Sequence, residues 1–141
     1  MNTPLNLTLA VIAGFVVGSI VNISILNAGP YVIALPEGAD ISTTEGLKES
    51  MKLFTPANFV PVFLAHALGA LVGALVAAKL AAKHRMRCAL GIGAFFMLGG
   101  ITMAILVGGP LWFLALDLVL AYLPMAYLGG KLAGAGRAQA A

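Results

Sequence analysis

The sequence predicts an all-α integral membrane protein, four transmembrane helices in two hairpins with both termini cytoplasmic. Three observations predict it. Apolar residues make up 61% of the 141 residues and charged residues only 9%, against roughly 45–50% and about 25% in soluble domains. Residues 5–26, 59–80, 89–107 and 111–128 form apolar runs near the roughly 20 residues that cross a bilayer. Four of the eight Lys and Arg residues gather around one short turn, as they do on the cytoplasmic side of membrane proteins. A backbone in hydrocarbon must satisfy its own hydrogen bonds, so the runs are expected as helices.

The first helix, over about 5–27, is expected to start after Pro4, where the first-turn N–H has no partner in any case. MNTPLN holds no Lys or Arg, and the apolar run exceeds a signal peptide's 7–15 residues, so it reads as a retained helix. Ala10, Gly14 and Gly18 recur at four-residue spacing, with Asn22 on the same stripe. Small residues so spaced let helix backbones approach closely in lipid. Ala28-Gly29-Pro30 is expected to end the helix.

The connection over 28–58 carries Glu37, Asp40, Glu45 and Glu49 against Lys48 and Lys52, so it should face outward. Ser42 and Glu45 have capping-box spacing, predicting a short helix over about 43–54. Leu47, Met51 and Phe54 share one face of it, which suits a helix lying in the membrane interface. The second transmembrane helix, over about 59–82, has one small ridge of Ala65, Gly69, Gly73 and Ala77 and another of Ala70, Ala74 and Ala78. So broad a small face predicts contact on two sides, one with a helix of this chain and one with a second subunit.

Lys79, Lys83, His84, Arg85 and Arg87 surround the next turn. Such a loop stays cytoplasmic, which agrees with Lys131 and Arg137 after the last helix. The third helix, about 89–107, has Thr102 as its one mid-span polar residue. The fourth, about 111–130, places Trp112 at the outer boundary and carries Pro124, a candidate hinge expected to kink the helix near Leu120. Matching ends, Ala28-Gly29-Pro30 with Gly108-Gly109-Pro110 and Lys79-Leu80-Ala81 with Lys131-Leu132-Ala133, suggest that the halves are repeats, as occur in transporters.

Counted inward at about 1.5 Å per residue, Asn22, His66, Thr102 and Asp117 all lie roughly 6–11 Å below the outer edge. Each span thus supplies one polar residue to one layer. Asp117 is the strongest signal, because a carboxylate in hydrocarbon is costly and normally faces a partner or water. His66 is its natural partner, and an imidazole bonded to a carboxylate can hold or pass a proton. Asn22 and Thr102 would complete a polar cage for a proton, a small cation or a polar ligand.

Other chemistry is poorly supported. His66 and Asp117 lack a third good metal ligand, and no metal or cofactor is expected. The glycine pairs have no nucleotide-binding context, no nucleophile elbow surrounds Ser19 or Ser24, and nothing suggests nucleic-acid binding. Cys88, the single cysteine, has no partner for an internal disulfide. The chain has the general look of small multi-pass bacterial proteins, placing it in the cytoplasmic (inner) membrane. The expected function is a small transporter or channel-like protein. Four helices leave little room for a path, so a homodimer or higher oligomer is expected, joined through Gly14 and Gly18 or Gly69 and Gly73. The alternative is a structural or accessory subunit docking on another membrane protein. A lipid-directed enzyme is the third class, disfavoured by the lack of paired catalytic groups.

Overall fold

The computed structural model describes residues 6–136; the expected helix start after Pro4 and the basic Arg137 lie outside them. Four helical spans are long and apolar enough to cross a membrane: Leu7–Val32, Pro56–Leu80, Arg85–Leu106 and Leu111–Leu132. The elements are α1 (Leu7–Val32), α2 (Thr44–Ser50), a 3₁₀ turn (Pro56–Phe59), α3 (Val60–Leu80), α4 (Arg85–Leu106), α5 (Leu111–Leu120) and α6 (Leu123–Leu132).

Several ends differ from expectation, each for a local reason. Helix α1 is capped by Asn6, whose side chain accepts from Leu9 N–H at 2.9 Å, and it runs through Pro30 to Val32 rather than stopping near Asn27. Pro30 removes one donor, but the helix resumes, with Ile33 N–H donating to the Gly29 carbonyl at 2.8 Å. Helix α2 starts one residue later than predicted and stops at Ser50. Ser42 is held by Asp40, to which its backbone N–H and its hydroxyl donate at 2.8 and 2.6 Å. Thr43 therefore becomes the cap and accepts from Gly46 N–H. Helix α4 begins at Arg85, a turn before the apolar run, behind His84 in the left-handed region (φ 52°). The fourth span is two helices, not one.

The interior is made of small side chains. Ala10, Ala74, Ala77, Ala78, Ala81, Cys88, Ala89, Ile92, Ala126 and Ala133 form one buried cluster, while Ile12, Val16, Ile20, Leu98, Ile105 and Val119 are exposed. Lipid is as apolar as leucine, so burying large side chains between helices gains little, and close van der Waals packing decides instead. Helix α3 is central, packing along α1 on one side and α6 and α4 on the other. A Cβ on Gly14 would come within 2.5 Å of the Gly73 carbonyl, and one on Gly18 within 2.6 Å of the Gly69 carbonyl. Across α3, Gly129 is pressed against the Leu71 backbone and Ala74. Both small faces of the second span are thus covered by helices of this chain, and the face expected to receive a second subunit is already occupied.

The two ends of the bundle differ. Ala10, Ala81, Cys88 and Ala133 share the packed cluster, so the start of α1, the α3–α4 turn and the end of α6 meet tightly. Lys79, Lys83, Arg85, Arg87 and Lys131 are exposed around that end. At the other end α5 touches α3 and α4 only sparsely, and α2 lies over the gap. The loop before α2 is tied down by Asn58, whose amide donates to the Ala34 carbonyl at 3.0 Å, and by Ser50, whose hydroxyl accepts from Asp40 N–H at 2.7 Å.

Two outcomes test this packing. Gly14→Val or Gly73→Val should cost about 1–3 kcal/mol of stability, the range for overpacking, measured by unfolding in detergent. Gly91→Ala, with open space around its new Cβ, should gain up to about 1 kcal/mol from helix propensity. Hydrogen bonds from Ser42 hold the exposed Asp40 carboxyl below the usual carboxylate range. A lowered folded value means stabilisation that is complete above the unfolded value and lost as pH falls through the folded one. The protection of the Ser42 and Gly46 amides, relative to their intrinsic exchange rates at each pH, should therefore fall below about pH 4, and in Asp40→Asn that protection should not change with pH.

Candidate functional site

Where the loose end meets the packed end, three side chains form one polar cluster. His66 is carried by α3, held in register by the small-residue contacts with α1 and α6. Asp117 is carried by α5, whose first turn is fixed to the start of α3 by aromatic packing. The Phe59 and Phe113 ring centroids are 4.6 Å apart, those of Phe59 and Trp112 5.6 Å apart. The His66 Nδ1 atom lies 2.9 Å from both Asp117 carboxylate oxygens. Asp117 is 4% exposed.

The third member, Tyr122, was absent from the sequence-derived polar layer. Its hydroxyl donates to Asp117 Oδ2 at 2.8 Å and lies 2.9 Å from His66 Nδ1. Five residues apart on a continuous helix, Asp117 and Tyr122 would point roughly 140° apart at 3.6 residues per turn. The chain instead breaks at Ala121 and Tyr122, with Tyr122 at φ −109°, ψ −79°. Pro124 has no N–H to offer the Leu120 carbonyl, and the interruption swings Tyr122 inward, where it is fully buried. The signal was Pro124 itself: a proline late in a span containing a carboxylate can turn a second polar side chain to the same face.

The distances fit two proton arrangements. In one, an ionised carboxylate only accepts hydrogen bonds and receives the Tyr122 hydroxyl and a proton carried on His66 Nδ1. In the other, a neutral carboxyl donates to Nδ1 and accepts from Tyr122. No described residue partners Nε2, and no buried side-chain nitrogen or oxygen is left unpaired among the described residues. The half-buried His66 ring borders a cavity of about 660 Å³, which Asp117 and Tyr122 also line. A proton can therefore be taken up or given at Nε2 without breaking the bonds to Asp117.

The other predicted residues divide. Asn22 lines the same cavity from α1, and its Cβ would sit 3.0 Å from a Cβ placed on Gly69, one turn below His66. Thr102 is outside the cluster. It is exposed on α4, its hydroxyl donating to the Leu98 carbonyl at 2.8 Å, the ordinary way a helical threonine satisfies itself. Equal depth put it in the layer; the rotation of α4 turns it away. Leu47, Met51 and Phe54, the apolar face of α2 and the turn after it, border the cavity mouth. Among the described residues no three His, Cys, Asp or Glu side chains gather as metal ligands do.

Gly100 fixes the tyrosine from α4, because a Cβ there would collide with the Tyr122 hydroxyl. Tyr122→Phe should lower stability by about 1 kcal/mol, as for interhelical hydrogen bonds in membranes. Gly100→Ala should cost at least as much alone and less in the Tyr122→Phe background. Strict additivity in this double-mutant cycle would mean that the two residues do not act on each other.

No family model, curated protein or solved structure matches this chain, so no residue role is inherited from elsewhere.

Proposed function

We propose that the protein is a small membrane carrier that binds its ligand between the helices and uses His66 and Asp117 as a proton site. The observation that carries the reading is the meeting of a buried histidine–carboxylate pair with a cavity of about 660 Å³. Binding sites for small molecules are concave and mostly apolar, about 300–1,000 Å³, with a few convergent polar groups. Here the walls include Phe15, Phe54, Phe95, Phe96 and Phe113, and the polar groups include His66, Asp117, Tyr122 and Asn22, with Ser19, Asn27 and Asn58 also on the lining. Ionisable residues within membrane spans usually mark ion or substrate pathways.

The proposed orientation puts the basic end in the bacterial cytoplasm and the cavity mouth, with α2 at the interface, on the outside. The small faces of the first two spans being covered within the chain, oligomerisation would use another exposed surface, such as that of α5 with Leu116 and Val119.

A second reading has its own support. Asp117 is satisfied within the chain by His66 and Tyr122, as expected of a cluster that fixes helix packing in an accessory subunit. Infrared difference spectroscopy in nanodiscs separates the two. For the carrier, spectra between about pH 5 and 8, the range of histidine chemistry, show a change in carboxyl bands. That change is lost in Asp117→Asn and altered in His66→Ala. A cluster silent across this range, with Asp117→Asn less stable than the wild type, leaves only the packing role.

A further inference from the structure

The cavity is not closed toward the bilayer. Helix α1 contacts α3 along its length but α4 only sparsely. Several residues that line the cavity are also exposed, and they sit on the facing edges of these two helices. They are Phe15, Leu26 and Asn27 on α1 and Phe95, Gly99 and Met103 on α4. Phe15 and Phe95 meet across the gap at 6.0 Å between ring centroids. Beside them Gly99 faces open space, with nothing within 4 Å of where a Cβ would stand.

Depth and charge narrow what this opening admits. Gly99 lies seven residues before Leu106, the last residue of α4, so the gap is centred about 10 Å below that end at 1.5 Å per residue. The hydrocarbon core is about 30 Å thick, so the gap faces acyl chains rather than head groups. Of the residues lining the cavity, Asp117 and His66 are the only acid and base, and no Lys, Arg or Glu is among them. The carboxylate opposes an anionic head, while Nε2 of His66 can accept or donate a hydrogen bond.

We infer that the ligand is a long-chain amphiphile with an uncharged hydrogen-bonding head, such as a hydroxyl. It enters sideways from the bilayer between α1 and α4. The head reaches His66 and the Asn22 side of the cavity, and the chain passes over the Phe15–Phe95 pair, beside Gly99, with its far end among the lipids. This rests on the binding-cavity reading above and names the ligand class and route for it. Phe15 and Phe95 form the sill of the opening, and Gly99 keeps it wide.

The test is photolabelling in phosphatidylcholine nanodiscs with a diazirine-bearing hexadecanol and the matching hexadecanoic acid, adducts being mapped by mass spectrometry. The alcohol should label cavity residues of α1 and α4 about tenfold more than the acid, the factor that corresponds to about 1.4 kcal/mol. Gly99→Phe should reduce that labelling by about the same factor, Phe95→Ala should raise it, and Thr102→Val, on the outward side of α4, should leave it unchanged. Labelling spread over all lipid-facing surfaces and indifferent to Gly99→Phe and Phe95→Ala overturns the sideways route. Equal labelling by acid and alcohol overturns the ligand class. The infrared response of the His66–Asp117 pair is read on the same samples. If it persists while the labelling pattern fails, the route or ligand is wrong and the proton site stands. If it is absent, the underlying reading fails as well.

Discussion

A helix surrounded by lipid gains almost nothing by hiding a leucine, so this chain holds together where backbones come close enough to touch. The contact between α1 and α3 is the foundation. Gly14 and Gly18 lie against Gly73 and Gly69 with no room for a methyl group on any of them. Helix α6 repeats the device on the opposite side of α3 through Gly129 and Ala74. Helix α3 is therefore clamped from two sides, and His66 stands on the best-fixed helix of the molecule. Large apolar side chains such as Ile20, Leu98 and Val119 are left to face outward.

The same constraint produces the cavity. Tight packing is concentrated at the basic end, where small residues of every span converge. Toward the other end α1 keeps its contact with α3, while α4 and α5 carry larger side chains and stand off. Space between diverging helices must be filled or left open, and here aromatic rings line it without filling it. The polar cluster lies at the floor of that space. It is buried enough to need internal partners, yet one imidazole nitrogen remains without a partner among the described residues.

Much of the fold was legible because membranes impose it. Four apolar runs, a basic turn and small-residue stripes are consequences of lipid chemistry, and they appear in the order and number that the structure has. The pairing of His66 with Asp117 was legible for the same reason, since an intramembrane carboxylate needs a partner at its own depth. Rotation was not legible. Depth along a span follows from counting, but the direction a residue faces depends on packing angles that short patterns do not encode. Thr102 was assigned to the layer on depth and faces out. Tyr122 was passed over because its depth placed it in the inner half of the span, below the polar layer, and the interruption before Pro124 turns it to Asp117. The small faces were recognised as contacts, but nothing in their spacing said that both partners belong to the same chain.

The interruption also divides the cluster mechanically. Helix α6 is anchored against α3 and α4, and α5 is a ten-residue lever above it. Pro124 offers no amide hydrogen to tether the Leu120 carbonyl across the joint. A change of angle at this joint would break no hydrogen bond at that carbonyl. It would act instead on the bonds of Asp117 with His66 and Tyr122 and on the rings of Phe113 and Phe59. The carboxylate stands on α5, the imidazole on α3 and the phenol at the joint, so the three hydrogen-bonding groups tie together the helices on either side of the break.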